Sequence, residues 1–323
     1  MLEDGYKRRF NYLRLSVTEI CNFRCSYCLP NGYTGGNKKV FLTLAEIKTL
    51  ARAFALSGTE KIRITGGEPT LRQDIVDIVG ICAATPGIKN VALTTNAYRL
   101  PDILEQLVDA GLSAVNISAD SLDSGNFNAI TGFDKLDRVI KSIDLALALG
   151  LKKVKINTVL LKQSNAHEFE TFLAFVRNCP VTVRFIELMQ TGDNHTYFRK
   201  EHLSAKELKL KLLENGWQQA AKSHDAGPAE EFFHNDYRGR IGLIMPYEKN
   251  FCDSCNRLRI SAQGKLNLCL FASGSHDLRP AIASGDPDFL AAELRHCVNG
   301  KEKSHHLEQG YSGGTQNLAM IGG

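Results

Sequence analysis

The sequence has no long apolar segment and no run of basic residues. Its longest apolar stretch, residues 145–151, is too short to cross a bilayer, which takes about 20 residues. The opening MLEDGYKRRFNYLRLSV contains no uninterrupted apolar core, so we expect no secretory signal. Lys and Arg outnumber Asp and Glu only by 39 to 35, which argues against nucleic acid as a partner. These absences predict a cytoplasmic protein without a membrane partner.

Cysteine is plentiful, but its pattern does not fit disulfides. The chain has nine cysteines, an odd number, and six of them fall into two groups. In a reducing compartment such clustering argues for metal binding or catalysis. With 323 residues, 43% of them apolar and 23% charged, the chain reads as an ordinary globular protein with room for a large α/β domain and a smaller unit.

A repeating strand–helix pattern runs through the first two-thirds of the chain. It predicts strands at 12–17, 61–65, 90–94, 114–118, 153–159 and 181–187. It predicts helices at 44–56, 136–149, 165–177 and 204–215, the first of them opened by a capping box of Thr43 and Glu46. Six βα units in series favour a parallel sheet, two units short of a closed barrel. A doubly wound open sheet is the alternative, although no G-x-G-x-x-G follows the first strand.

The last hundred residues change character. Short strand patterns appear at 240–244, 257–261 and 265–269, and a turn at 262–264 joins the last two. No repeat beyond the βα pattern and no low-complexity linker is present. We therefore expect a second structural unit here.

Basic residues alternate with aliphatic ones in several predicted strands, as Arg14 does between Leu13 and Leu15. The further members of this set are Lys61, Arg63, Lys153, Lys155 and Arg184. If the aliphatic faces pack under helices, these cations point into the interior, where unpaired charge is costly. No matching acids share their faces, so we expect a phosphate-rich ligand in one cavity with the cysteine groups at its rim or wall. The alternative is a set of solvated strand residues.

The first cysteine group is C-x3-C-x2-C, formed by Cys21, Cys25 and Cys28. Structural zinc takes four ligands, usually in C-x2-C pairs. A four-iron cluster held by only three thiolates would keep one iron open for another ligand. The three-cysteine count therefore favours an open iron–sulfur site, with zinc as the alternative.

The second group again numbers three, Cys252, Cys255 and Cys269. Cys297 could supply a fourth ligand, so a zinc site is the alternative for this group as well. Arg257 and Arg259 alternate directly behind the C-x2-C pair and would aim two guanidinium groups at a bound molecule. The remaining cysteines, Cys82 and Cys179, lie in apolar helical contexts and are expected to be core thiols.

With Tyr27 before its third cysteine, the first group resembles the cluster motif of the radical S-adenosylmethionine (SAM) superfamily, and residues 66–69 (GGEP) resemble its SAM-binding segment. The resemblance implies an incomplete (β/α)6 TIM-like barrel over residues 1–220. It implies a C-terminal α+β extension over 221–323 that closes the open side and carries the second cluster. It also implies a [4Fe–4S] cluster on the first triad and SAM contacts from Tyr27, Gly67, Glu68, Ser118 and Met189.

Longer segments resemble one family of that superfamily, the GTP 3′,8-cyclases of molybdenum cofactor biosynthesis. They are YLRLSVTEICNFRCSYCLP, KIRITGGEPTLR, TTNAYRL, FCDSCNRLRIS and the terminal Gly322-Gly323. The likeness spans nearly the whole chain. Among its few departures, Ala97 stands where this family usually has glycine.

This resemblance implies a lyase that converts GTP to (8S)-3′,8-cyclo-7,8-dihydroguanosine 5′-triphosphate. A 5′-deoxyadenosyl radical from SAM would remove the 3′ hydrogen, and the ribose radical would close onto C8 of guanine. The resemblance places a second [4Fe–4S] cluster on Cys252, Cys255 and Cys269. It places GTP contacts at Arg14, Lys61, Arg63, Thr94, Lys155, Arg184, Arg257 and Arg259.

The implied partners are GTP, a flavodoxin- or ferredoxin-like electron donor and a downstream cyclic pyranopterin monophosphate synthase; a homodimer is allowed. Gly322 and Gly323 are expected to enter the active site as a tail. Two other classes stay open. One is a different radical SAM enzyme with an auxiliary cluster, and the other is a zinc-binding interaction module.

Overall fold

The computed structural model describes residues 1–35, 40–222 and 226–321. The strands in these ranges are β1 Tyr12–Ser16, β2 Lys61–Thr65, β3 Asn90–Thr95, β4 Ala114–Ser118, β5 Lys153–Leu160, β6 Thr182–Glu187, β7 Gln218–Gln219, β8 Glu230–Phe233, β9 Arg240–Ile244, β10 Arg257–Ile260, β11 Lys265–Asn267 and β12 His276–Asp277. The α-helices are α1 Leu44–Leu56, α2 Ile75–Ala83, α3 Leu100–Asp109, α4 Ser124–Thr131, α5 Leu136–Ala148, α6 Phe169–Asn178, α7 His195–Glu201, α8 Lys206–Glu214, α9 Arg279–Ala283 and α10 Pro287–Val298. Short 3-10 helices lie at Pro69–Leu71, Ala166–Glu168, Leu307–Gln309 and Leu318–Met320.

All these strands belong to one mixed sheet in the order β12-β11-β10-β1-β2-β3-β4-β5-β6-β9-β8-β7. The strands from β1 to β6 pair in chain order, each parallel to the next. A doubly wound sheet reverses its strand order at a switch point, and this one does not. The order runs from β12 to β7 without joining them, so the described strands form an open, incomplete (β/α)6 barrel as expected.

The C-terminal part of the chain extends the sheet at both edges. β9 pairs in parallel with β6, placing Arg240 opposite Thr182. β10 pairs in parallel with β1, placing Arg257 opposite Tyr12. The antiparallel strands β8, β7, β11 and β12 follow outward. The division at residue 220 stays a prediction, because one sheet contains strands from both sides of it.

The helix bounds follow local signals closely. α1 begins and ends as predicted, and the capping box is present, with Glu46 N–H donating to Thr43 Oγ1 at 3.3 Å and Thr43 N–H to Glu46 Oε2 at 2.8 Å. Gly150 follows α5 with a positive φ of 74°, the expected glycine end of a helix. The predicted helix at 165–177 instead starts as a 3-10 turn before α6.

The main core lies between the aliphatic face of the sheet and the surrounding helices. Leu13, Leu15, Ile62 and Ile64 are fully buried in it. Side chains alternate along strands, so the basic residues beside them face the opposite way, into the barrel. None of the helices in the three described ranges has the length and apolar character that a membrane span requires.

Candidate active site

One cavity of about 1040 Å³ occupies the inside of the barrel. The cations predicted to meet there all line it: Arg14, Lys61, Arg63, Lys155, Arg184, Arg257 and Arg259. Lys153 lines it as well, at an exposed position. The strand-face prediction is therefore confirmed, and the solvated-strand alternative is wrong for Arg63, Arg184 and Arg259, which are at most 7% exposed.

These cations affect one another strongly because they share a buried space. Burial lowers the pKa of Arg184 to about 10, and the charge of Arg63 adds to this. Burial and the neighbouring Arg257 likewise lower the pKa of Arg259 to about 10. Burial and Arg259 also hold the pKa of Arg14 well below its usual value. A polyanion in this cavity would relieve that repulsion.

The expectation that no acid matches these cations was wrong in one respect. Glu231, on β8, lines the cavity and forms a short ion pair with Lys155. Burial lowers the pKa of Lys155 to about 8, because it outweighs the opposing effect of Glu231. Lys155 thus has an acidic partner in the protein. Arg184 has a neutral one, since it donates to the Asn157 side-chain oxygen at 2.6 and 3.0 Å.

Thr94, expected to contact GTP, lies on β3 next to this cluster. Arg63 Nη1 donates to its Oγ1 at 3.2 Å and to the Leu93 carbonyl at 3.4 Å. Tyr12, absent from the predicted site, accepts a hydrogen bond from Arg63 Nε. The alternation of β1 could have found Tyr12, since it shares the face of Arg14.

The second cysteine triad lies at the amino ends of the barrel strands. Cys252, Cys255 and Cys269 all line the cavity. The C-x2-C pair directly precedes β10, which runs parallel to β1, so it lies near the start of β1. Burial alone would raise the pKa of Cys255, but Arg257 and Lys301 outweigh it and lower the pKa to about 7.

Cys297 does not belong to this triad. It lies on α10 and is buried in the main core. Cys269 packs in a separate cluster with Leu270 and Phe271. The fourth ligand on which the zinc alternative depended is therefore not supplied by Cys297. Cys82 is fully buried in the main core, as expected, whereas Cys179 is only partly buried and packs against that core.

The expectation that both cysteine groups lie at the rim or wall of the cavity was wrong for the first triad. This triad lies at the opposite end of the strands, beyond the carboxyl end of β1, and does not line the cavity. Its loop is tied to the end of α4, where Arg24 N–H and Ser26 N–H donate to the carbonyls of Thr131 and Ile130, each at 3.0 Å. The carbonyl of Cys25 accepts from the Cys28 and Leu29 N–H groups at 3.0 Å. These bonds turn the chain so that the cysteines stay together.

The thiols of this triad sit in an apolar, acidic setting that differs from the second one. Burial raises the pKa of Cys21 to about 11 and that of Cys28 to about 12. The backbone N–H groups of Leu318 and Ala319 lie near the Cys28 sulfur and oppose this rise in its pKa. The C-terminal 3-10 helix therefore reaches the first triad.

Tyr27 and Asp120 form a buried pair beside the triad. The Tyr27 hydroxyl donates to Asp120 Oδ2 at 2.8 Å. Burial raises the pKa of Asp120 to about 6, although hydrogen bonds from Val159 N–H and from Tyr27 oppose the rise. Asp120, two residues beyond the end of β4, is not among the predicted site residues.

Glu68 joins the loops that follow β2 and β3. Its fully buried carboxylate accepts from Thr70 N–H at 3.0 Å, Thr70 Oγ1 at 2.5 Å, Thr95 Oγ1 at 2.7 Å and Asn96 N–H at 2.6 Å. Asn96 in turn donates to Asn22 Oδ1 at 2.9 Å, within the triad loop. Glu68 is expected to contact SAM, and in the structure its carboxylate already accepts hydrogen bonds from the protein.

Gly67 allows a close backbone approach. A Cβ there would lie 2.4 Å from the Ile20 carbonyl oxygen and 2.6 Å from that of Glu19. Gly67 N–H donates to the Thr18 carbonyl at 2.9 Å. Glycine is therefore needed to press the GGEP segment against the start of the cysteine loop. Of the other predicted SAM residues, Ser118 ends β4, and Met189 follows β6 and lines the cavity.

The donor sets fit iron–sulfur clusters. Within the three described ranges, no three Cys, His, Asp or Glu side chains converge as ligands of a single metal ion. A four-iron cluster does not need such convergence, because each thiolate binds a different iron. Two separate triads of partly exposed thiols, one in an apolar setting with acids nearby and one rich in cations, meet that requirement.

This fold and these two triads define a radical SAM enzyme with a second cysteine site. The radical SAM superfamily model matches residues 15–176, and the Molybdenum Cofactor Synthesis C model matches residues 181–307. Among solved structures, Streptococcus suis SuiB bound to S-adenosylmethionine superposes with a TM-score of 0.62 at 16% identity, covering 89% of this chain and 68% of that one. That similarity supports the fold.

Sequence relatives narrow the assignment. A GTP 3′,8-cyclase of Cronobacter sakazakii is 51% identical over 325 residues, covering 100% of this chain and 99% of the relative. A GTP 3′,8-cyclase of Yersinia pestis is 51% identical over 323 residues, with the same coverage. The chain belongs to the GTP 3′,8-cyclase family.

Proposed function

We propose that this chain is a lyase, a radical SAM GTP 3′,8-cyclase that forms (8S)-3′,8-cyclo-7,8-dihydroguanosine 5′-triphosphate in molybdenum cofactor biosynthesis. The observation that carries the proposal is the buried cationic cavity, which ends at the second triad. Its cations suit the triphosphate of the substrate. Family membership supplies the reaction, since relatives covering the full chain are GTP 3′,8-cyclases.

Cys21, Cys25 and Cys28 would hold a [4Fe–4S] cluster, and Cys252, Cys255 and Cys269 a second one. The first cluster, when bound with SAM, supplies the reducing electron for radical formation. Because metal binding needs thiolates, loading the first triad must release protons from thiols whose pKa burial has raised. The second triad meets less resistance, since cations already lower the pKa of Cys255.

SAM would lie at the carboxyl ends of the strands, near Tyr27, Gly67, Ser118 and Met189. Glu68 would act there by holding the loops after β2 and β3 together, because its carboxylate accepts four hydrogen bonds from these loops. Gly67 would serve both that loop packing and SAM. Tyr27 would be oriented by its bond to Asp120.

GTP would span the cavity, its triphosphate held by the cations that line it, Arg14, Lys61, Arg63, Lys155, Arg184, Arg257 and Arg259, with Thr94 beside them. The guanine would meet the second cluster. β1 separates the two ends by about 13 Å, at roughly 3.3 Å per residue. That length suits a substrate whose ribose must face the SAM end while its base reaches the other.

Several partners belong to the proposal through the family alone. They are a flavodoxin- or ferredoxin-like electron donor and a cyclic pyranopterin monophosphate synthase that takes the product. The reducing cytoplasm is the compartment that suits nine unpaired cysteines.

The proposal is tested by anaerobic incubation of reconstituted protein with SAM, dithionite and GTP. We expect 5′-deoxyadenosine, methionine and a cyclised nucleoside triphosphate, identified by mass analysis. SAM cleavage without any GTP-derived product would point to a different radical SAM reaction. A colourless protein that binds zinc and no iron would instead indicate a zinc-binding interaction module.

A further inference from the structure

Tyr12 lies among the cations of the cavity, at the start of β1. Only 5% of its surface is exposed, and it lines the cavity. Its hydroxyl accepts a hydrogen bond from Arg63 Nε. Lys61 Nζ lies 4.8 Å from the centre of its ring, and Arg63 Cζ lies 5.9 Å away. The tyrosine thus contacts two of the proposed triphosphate ligands at once.

Charged groups face Tyr12 from β1 itself, from the paired strands β2 and β10, and from β6. They are Arg14 on β1, Lys61 and Arg63 on β2, Arg184 on β6, and Arg257 and Arg259 on β10. Two acids are among the described residues that line the cavity: Glu231 pairs with Lys155, and Glu230 pairs with Lys209. Burial alone would raise the pKa of Tyr12, but Arg63, Arg14 and Lys61 outweigh it and lower the pKa to about 7.

We propose that Tyr12 is a positioning residue of the triphosphate site. Above pH 7 and before GTP binds, the Tyr12 oxygen carries a negative charge that holds Arg63 in place, while its ring lies against Lys61. The bound triphosphate takes over that charge, and Tyr12 takes a proton from solvent. The inference rests on the proposed function, because it takes GTP as the substrate.

The direction of this coupling follows from the sign of the charges. A triphosphate beside Tyr12 disfavours the phenolate and raises its pKa back toward the ordinary value near 10. Between pH 7 and 10, GTP binding should therefore consume a proton, and affinity should fall with rising pH. The limit for one linked proton is about tenfold per pH unit.

Other groups that line the cavity also titrate in this range. Lys155 has a pKa of about 8, and Arg184 and Arg259 each have a pKa of about 10. These groups would also take up protons when an anion binds. The proton assigned to Tyr12 must therefore be measured as a difference between variants. Tyr12→Phe removes the hydroxyl and keeps the ring over Lys61, and Tyr6→Phe, at a residue 51% exposed, is the matched control.

The experiment is calorimetry of GTP binding to reconstituted protein at pH 8, without SAM or reductant, in two buffers of different ionisation enthalpy. We expect the wild type and Tyr6→Phe to take up about one proton more than Tyr12→Phe. The KM for GTP should rise more steeply with pH in the wild type than in Tyr12→Phe, while the pH dependence of kcat stays alike. Equal proton uptake in the two proteins would overturn the proposal.

A second measurement does not depend on the variant folding. NMR of wild-type protein labelled at the tyrosine ζ carbon should show one phenolate signal at pH 8 that becomes a phenol signal when GTP is added. No phenolate signal before GTP, or one that GTP leaves unchanged, would contradict the inference. Wild-type protein that does not bind GTP at all would overturn the proposed function, and this inference with it.

Discussion

At the scale of single residues, Ala97 has a backbone conformation that is costly for its type. Its φ is 63°, in the left-handed region that favours glycine, and the residue is fully buried. Its N–H donates to Thr95 Oγ1 at 3.0 Å, and it follows Asn96, whose side chain reaches the cysteine loop. A non-glycine residue there costs roughly 1–2 kcal/mol. This positive φ explains why the family usually has glycine at this position, since glycine adopts it without strain.

Ala97→Gly should therefore stabilise the protein. We expect the free energy of unfolding to rise by about 1 kcal/mol. This net value is smaller than the strain that is relieved, because glycine has greater entropy in the unfolded chain. Denaturant unfolding of the metal-free protein measures it. The control is Ala292→Gly on the exposed side of α10, which should destabilise by about 1 kcal/mol. Equal losses in both variants would show that Ala97 bears no such strain.

Arg259 offers a residue-scale test of the GTP site. It lies opposite Arg14 in the β1–β10 pairing and is 7% exposed. Charge-assisted contacts contribute about 1.5–3 kcal/mol, so Arg259→Ala should lower kcat/KM for GTP tenfold or more. Arg257→Ala should behave similarly. Arg52→Ala, on the exposed face of α1, is the control and should leave the kinetics unchanged. Wild-type kinetics in both cavity variants would exclude a phosphate contact.

At the scale of secondary structure, local patterns predicted most of the barrel. The six strands from β1 to β6 were predicted to within one or two residues, because alternation and flanking turns are local signals. The antiparallel pair of β8 and β9 was only half predicted, and with it Glu231 was missed. Its ion pair with Lys155 joins residues 76 positions apart, and no local pattern carries that information.

The candidate site shows the same division. The two candidate cysteine triads could be proposed from cysteine spacing, and the cation face could be predicted from strand alternation. The placement of the second triad opposite the first could not, since it depends on β10 pairing in parallel with β1, more than two hundred residues earlier. Tyr12 and Asp120 were passed over because a single polar side chain on a strand has many ordinary explanations.

Substitution of the second triad tests directly whether it holds a cluster. The triple variant Cys252→Ala, Cys255→Ala and Cys269→Ala should load about half the iron of the wild type. It should still cleave SAM, since the first triad lies at the other end of the sheet, but should not cyclise GTP. Cys297→Ala serves as the control and should retain full iron content, because Cys297 lies in the core. Unchanged iron in the triple variant would exclude a second cluster.

At the scale of the whole molecule, segments near both ends of the sequence lie beside the two cysteine triads. β10 adds to the edge of β1, while the 3-10 helix Leu318–Met320 reaches Cys28. Ile321 and Leu318 pack with Leu270 and Phe271, next to Cys269. The last described residues therefore lie between the two triads. Gly322 and Gly323 lie outside the described residues, and their role as an active-site tail stays a prediction.

Deleting Gly322 and Gly323 should lower cyclisation strongly. Fold, iron content and uncoupled SAM cleavage should survive, because the tail supplies neither a core residue nor a metal ligand. Product formation is measured beside the melting temperature and the iron content, so that a folding defect is recognised. Full cyclase activity in a truncated protein of normal stability would show that the tail has no part in the reaction.

The central claim is that this cavity directs a SAM-derived radical to the ribose of GTP. The most direct measurement is deuterium transfer from [3′-²H]GTP to 5′-deoxyadenosine under anaerobic turnover. The account predicts deuterated 5′-deoxyadenosine together with the cyclised triphosphate. Unlabelled 5′-deoxyadenosine formed alongside the cyclised product, or label transferred only from another position of GTP, would contradict it.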